Sequence, residues 1–383
     1  MQDRRNQPSS RTNEPSSRAR GRGRGGPNRR GTTSGPSRGT PGPRTQQISS
    51  FPGLQNARSP VATPQASIYE ASRRRMNLMA SVSRSSGLEK DGDDLKNPNI
   101  QEEYRSFIQG KVGKILQDRS RSTSESEVEK GHRIEAQQNV LILFRKLREG
   151  VASTNRRDRF ALEVYETSLY LSVLFESPAQ TVSILPHLFL SRSSEKVDEP
   201  TFTSGSPSIC AALCALFHQL VAYYPSQGPY MQQLQALSKI ILTDSALSQW
   251  LQGLTRSLRT RNYARFSRLS DCSAVNDVLD APIGASEYDL GLQATLVLMN
   301  TLRRKVSESA WTIIRAAYRE LSTDDGSAET RGWLEHSLCL ASLEKSNSSH
   351  DLSVNRWLES RESMGHVRRK EDVNGRWLIC KVR

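Results

Sequence analysis

From about Ile134 onward the apolar residues of this chain repeat with a helical period. Val140, Phe144 and Leu147 follow one another at spacings of four and three. Leu247, Trp250, Leu251, Leu254 and Leu258 fall at offsets 0, 3, 4, 7 and 11, an apolar stripe down one helical face. Asp244 or Ser245 stands just before that stripe as an N-cap. Trp311, Ile314, Tyr318 and Leu321 repeat at 0, 3, 7 and 10 behind a Ser307 cap. Met231, Leu234, Leu237 and Ile240 predict a further helix, and residues 209–224 another. Roughly ten helices are expected between residues 101 and 325, in antiparallel-compatible pairs. No stretch there alternates with period two, so the pattern predicts a helical stack without a large sheet.

The last fifty residues read differently. A short helix is expected over 352–360, after Leu334, Leu338 and Ala341 have continued the helical spacing. Residues 366–371 and 376–382 then flank Asn374-Gly375, a pair suited to a type I′ turn because both residues accept positive φ. In the second strand Leu378, Cys380 and Val382 alternate with Trp377, Ile379 and Lys381. Helices followed by such a hairpin predict a winged-helix unit from about residue 287. A lone hairpin is only marginally stable, so it should pack on those helices.

Composition changes the picture at the other end. Residues 1–66 hold nine Gly, nine Pro and a single aromatic, Phe51, too little apolar surface to offset the entropy of ordering. That predicts a disordered segment, centred on the run Arg20-Gly21-Arg22-Gly23-Arg24-Gly25-Gly26. Two further stretches, 81–98 and 118–131, have no sustained period. The expected organisation is therefore a tail and linker over 1–99, a helical-repeat domain over 100–286 and a winged-helix end over 287–383.

The formal charge of the 383 residues is +14. Residues 1–75 contain 15 Arg, no Lys and three acidic residues, a net +12 that leaves +2 for residues 76–383. No apolar run approaches the roughly 18 residues needed to span a bilayer, which argues against membrane insertion. Arg4 and Arg5 are followed by polar residues, unlike a secretory signal. Five scattered cysteines do not make a disulfide framework and fit a reducing compartment.

The common chemical motifs are absent from the sequence. There is no phosphate-binding GxxxxGK[ST], no strand-flanked GxGxxG, no HExxH and no GxSxG. No CxxC or HxxxH pair suggests zinc, and the six histidines are dispersed. Cys210 and Cys214 lie four apart in an apolar helix and read as small core residues. The expectation is a non-catalytic protein with no cofactor and no metal.

Two features suit nucleic acid. Arg20, Arg22, Arg24, Arg29 and Arg30 offer guanidinium groups that neutralise phosphates and stack on bases, on a glycine-rich chain that follows a flexible strand. The bland alternative is a solubilising tail or a site for a nuclear import receptor. Around the terminal hairpin, Arg368, Arg369, Lys370, Arg376 and Lys381 are placed to follow a phosphate backbone. The bland alternative there is an edge strand guarded by charge.

Residues 254–269 read Leu-Thr-Arg-Ser-Leu-Arg-Thr-Arg-Asn-Tyr-Ala-Arg-Phe-Ser-Arg-Leu. This resembles a segment of the Sac-three/GANP (germinal-centre-associated nuclear protein) family, in which a helix ends in Asn-Tyr and the next carries Phe and Leu toward the core. The matching residues are Asn262, Tyr263, Phe266 and Leu269. Arg261 stands where Gly is common in that family, and Ser267 where a second aromatic is usual. Upstream, Arg148–Val151 and the run Val164-Tyr165-Glu166-Thr167 resemble the same family, as do residues 310–321 and 333–343 downstream. The similarity covers about residues 100–345, and the motif residues read as structural: Asn262 caps a turn, while Tyr263 and Phe266 share one face.

The resemblance implies a PCI-type domain, a right-handed helical stack ending in a winged helix. It implies as partners RNA, a second PCI-type subunit and a small acidic protein lying along the stack. Its members act as scaffolds in nuclear mRNA export or processing, which places the chain in the nucleus, at the nuclear pore, and also in the cytoplasm. The alternative is a structural subunit of a proteasome-lid, signalosome or translation-initiation type complex with no direct RNA role.

Overall fold

A computed structural model of the chain describes residues 74–82, 90–121, 126–189, 207–241, 245–279, 289–324, 328–340, 354–371 and 373–381. Arg20, Arg22, Arg24, Arg29 and Arg30 lie outside the described residues. A 3-10 helix at Lys90–Lys96 leads into α1 (Pro98–Arg121), α2 (Glu127–Ser153), α3 (Arg159–Leu174) and α4 (Pro178–Phe189). Then come α5 (Ile209–Tyr223), α6 (Gly228–Ala236), α7 (Ser238–Ile241), α8 (Ser245–Arg259), α9 (Tyr263–Leu269) and α10 (Cys272–Val278). The chain continues through α11 (Leu290–Ala317), β1 (Glu320–Ser322), α12 (Ala328–Ser337), α13 (Val354–Ser363), β2 (Val367–Arg369) and β3 (Arg376–Ile379). The described residues are mainly α-helical with a small antiparallel sheet.

The helices start where short polar side chains can close them. Ser126 and Glu129 form a reciprocal capping box at α2, and Asp158, Ser208, Asn262 and Asp289 accept backbone N–H groups at α3, α5, α9 and α11. Several helices end by turning one residue left-handed without glycine. Asn155, Glu176, Arg261 and Cys339 have φ of 50°, 51°, 55° and 52°. At Arg261 the Asn262 N–H reaches back to the Ser257 carbonyl at 2.8 Å, and at Cys339 the Leu340 N–H reaches Glu335 at 3.0 Å. These bonds satisfy carbonyls that the helix end would otherwise leave open.

The 28-residue α11 organises the rest. Its first turns pack on α3 and α5, so closely at Gly291 that an added Cβ would lie 2.9 Å from Cys210 Cβ and 3.2 Å from the Tyr170 ring. Its middle carries Arg303 into the core, and its last turns hold the sheet. At 1.5 Å per residue the helix is about 42 Å long, enough to run through both the helical part and the C-terminal part. Residues Ala62–Arg383 accordingly form one compact unit.

The structure corrects four expectations. Ser307 is no cap: it lies inside α11, whose start is Asp289. Tyr318 and Leu321 are not helical, because α11 stops at Ala317 and Leu321 enters β1, where it pairs with Trp377. An offset of ten residues brings Leu321 back to the apolar side in either geometry, so spacing alone did not separate them. The helix expected at Met231–Ile240 is broken at Leu237 into α6 and α7. Finally, of Asn374 and Gly375 only Gly375 takes positive φ, at 73°, so the turn is not type I′. Gly375 is fixed instead by its neighbour: a Cβ there would meet the Asp324 backbone nitrogen at 2.7 Å.

Candidate functional site

The sheet order is β1-β3-β2, with Glu320 opposite Leu378 and Leu378 opposite Arg368. Alternation along a strand then sorts the basic residues between two faces. Leu321, Trp377 and Val367 are buried on the inner face, and Arg369 lies there with its guanidinium 5.0 Å from the Trp377 ring centroid. Arg369 is held by Glu359 at 2.8 Å and Glu362 at 3.5 Å on α13. On the outer face Glu320 takes both Lys370, at 3.3 Å, and Arg376, at 3.1 Å. The hydrogen bonds from Arg376 and Lys370 hold the Glu320 carboxyl below its ordinary range. Arg368 and Lys381 are exposed, and no carboxylate among the described residues pairs with either. The five basic residues are thus near one another but unequal: three are engaged by carboxylates from β1 or α13.

The sheet is pinned to the last turns of α11. Arg315 donates to the Cys380 carbonyl at 2.8 Å, Glu308 pairs with the buried Arg361, and the Trp311 indole donates to His366 Nδ1 at 3.3 Å. Burial, then Arg315 and Arg361, push the His366 imidazole below its ordinary value, while Glu308 pulls the other way. Burial also lowers His218 on α5. Both imidazoles are therefore harder to protonate in the folded chain than in the unfolded one. Stability from them is present above the unfolded value of about 6.5 and is lost as pH falls toward the depressed folded values. The expected result is a drop in the denaturation midpoint between pH 7 and pH 5, above the window in which carboxylates titrate. That drop should shrink in a His218→Gln, His366→Gln double variant, and an unchanged pH profile would refute the assignment.

The motif residues of the helical part make packing and capping contacts. Tyr165 is buried and stacks on His187 with centroids 5.1 Å apart. Glu166 accepts the Ser208 N–H at 2.6 Å, so α3 fixes the start of α5. Asn262 Oδ1 accepts the Arg265 N–H at 3.0 Å, Tyr263 and Phe266 are buried, and the Leu269 carbonyl accepts the Trp250 indole N–H at 2.8 Å. The Ser267 carbonyl accepts from Arg303 at 3.0 Å.

No known protein family, curated protein or solved structure matches this chain. Its function must be read from its own residues.

Among the described residues no group of three or more His, Cys, Asp or Glu is placed to hold a metal ion, and no helix is long and apolar enough to cross a membrane. Burial raises the Cys210 thiol to about 11 and raises Cys214 further, so both stay protonated as core residues. Two features escape a motif search. One is an open groove of about 470 Å³ between β1 and α12, lined by Tyr318, Leu321, Glu329 and Trp333. Tyr318 and Trp333 are 46% and 39% exposed with ring centroids 5.4 Å apart. Nothing in the local sequence pairs those two aromatics, which meet only because β1 turns back beside α12. The other feature is a set of exposed arginines on α8 and α9, whose signal was composition: residues 245–270 contain no acidic residue.

Proposed function

We propose that the chain is a non-catalytic adaptor in nuclear mRNA export or processing, with a PCI-type unit that binds a partner subunit and an Arg/Gly-rich segment that contacts RNA. The observation that carries this reading is the order of the C-terminal elements. Helix α11, β1, α12, α13, β2 and β3 follow one another, with β3 between β1 and β2 in the sheet. That is the order expected of a winged helix grown from the last helix of a stack. The continuity of α11 supports treating stack and wing as one scaffold.

The wing is better suited to a protein than to a nucleic-acid groove. Helix α13, which would be the reading helix, carries Glu359 and Glu362 as well as Arg356. Beside it, the exposed Tyr318–Trp333 pair along the groove is the kind of aromatic anchor that protein interfaces use. The second PCI-type subunit is therefore assigned to this end, and a small acidic protein to the stack. RNA contact is assigned first to the segment containing Arg20, Arg22, Arg24, Arg29 and Arg30. The same scaffold without RNA would be a lid-type structural subunit, a reading favoured by the carboxylates that engage Arg369, Lys370 and Arg376.

Removing residues 1–60 should weaken binding to single-stranded RNA and reduce its salt dependence, because phosphate neutralisation releases counterions. Arg368→Glu with Lys381→Glu tests the wing, since no carboxylate among the described residues engages either side chain. Its effect on RNA should be smaller than that of the deletion. A salt slope unchanged by both alterations would remove this segment and the wing from the RNA assignment, and a full chain that binds no RNA would leave the structural subunit.

A further inference from the structure

Arg256, Arg259, Arg261, Arg265 and Arg268 are all exposed on the last turns of α8, the turn after it and α9. Between residues 245 and 270 they face no acidic residue and no lysine in sequence. None of the five is engaged in an ion pair among the described residues, in contrast to Arg369, Lys370 and Arg376. With a net +2 for residues 76–383, a stretch carrying +5 is a pronounced local excess.

The frame beneath them is well packed. Leu247, Trp250, Leu251, Leu254 and Leu258 are buried, the Trp250 indole ties α8 to the end of α9, and Asn262 caps α9. Arg256 and Arg259 are three apart on one helix, as are Arg265 and Arg268 on the next, which brings each pair onto a shared face with Cβ atoms about 5–6 Å apart. Helix-dipole complementation accounts for part of the pattern, since Arg256, Arg259 and Arg268 sit in last turns. It does not account for Arg261 and Arg265, which flank the start of α9, where the dipole disfavours a cation.

We propose that this α8–α9 arginine surface binds the phosphates of single-stranded RNA. The inference rests on the RNA reading above and adds a site in the folded unit. Two observations favour phosphate over an acidic protein. Every cation is arginine, whose planar fork matches phosphate oxygens in pairs. Among the described residues no large exposed apolar residue lies on α8 or α9, so these two helices themselves offer a peptide no anchor.

The test uses the full chain and a labelled uridine oligomer, with affinity measured across a salt series. In the variant Arg256→Gln, Arg259→Gln, Arg265→Gln, Arg268→Gln the slope of log K against log salt should fall by about 3, at roughly 0.7 per lost contact. Affinity at moderate salt should fall at least tenfold. Arg261 is left in place because its φ of 55° would mix a stability change into the result. Should the fourfold variant fold poorly, the two paired variants serve instead, each expected to lower the slope by about 1.4. An unchanged slope in a folded variant, with the parent chain still binding RNA, overturns this site and leaves the RNA reading intact. A parent chain that binds no RNA overturns both. Loss of polyglutamate binding with an unchanged RNA slope overturns the phosphate assignment in favour of an acidic protein.

Discussion

Arg303→Leu is expected to lower the unfolding free energy by about 2–5 kcal/mol, because hydrogen bonds from a charged group are worth roughly 1.5–3 kcal/mol each and leucine packing offsets only part of the three it removes. Arg303 is 1% exposed in the middle of α11. One arm of its guanidinium donates to the Ser267 carbonyl at 3.0 Å and the Ser270 hydroxyl at 2.7 Å, at the end of α9. The other donates to the Cys339 carbonyl at 3.2 Å, past the end of α12. Burial lowers its pKa, opposed by Cys339 and Asp271, yet the group stays charged as arginines do. Leucine fills much of the volume and supplies none of the donors. Ser270 keeps a partner, since its hydroxyl already donates to Ser267 at 3.3 Å. The same bond leaves the Ser267 carbonyl with a donor, so the cost falls mainly on the Cys339 carbonyl, which loses its Arg303 N–H.

Arg303→Lys separates charge from geometry. A single ammonium can reach one helix end, whereas the arginine fork spans two, so the lysine variant should recover less than half of the loss. Denaturant unfolding followed by circular dichroism measures both. If Arg303→Leu costs under 1 kcal/mol, the junction between the helices and the sheet does not depend on this residue.

Much of the helical part was legible in the sequence. The Leu247–Leu258 stripe is buried as its spacing implies, and Asn262 caps α9 as the turn requires. Those features are local: a period of 3.6 and a short polar side chain decide them within a few residues. What was not legible depends on long-range pairing. Glu320 neutralises Lys370 and Arg376 across 50 and 56 residues, and β1 exists because Leu321 meets Trp377. A three-residue strand has no period to detect. The basic residues of the last strands were visible as a group, but which of them stay unpaired was set by carboxylates elsewhere in the fold. The arginines of α8 and α9 were equally visible, and their spacing as helix-surface residues follows from the same periodicity that buries their neighbours.

Trp311→Ala should cost about 3–5 kcal/mol, the range for removing a buried large aromatic. Trp311 is 2% exposed, and its ring meets Trp357 edge to face, with centroids 4.9 Å apart and planes at 87°. Its indole N–H is the donor to His366, which immediately precedes β2. Alanine leaves a cavity between α11 and α13 and frees His366 from its partner, so the damage should concentrate in the C-terminal sheet. Amide hydrogen exchange at Trp377 and Leu378 should accelerate more than exchange in α3 or α5. Trp311→Phe restores most of the ring contact but not the donor, and should cost roughly 1–2 kcal/mol through the lost hydrogen bond. If both variants lose equally, packing against Trp357 carries no weight. If Trp311→Ala leaves exchange in β3 unchanged, the sheet is held by Arg315 and Arg361 without help from the tryptophan. The expected ordering, alanine well below phenylalanine and phenylalanine below the parent, follows from ring burial outweighing a single hydrogen bond.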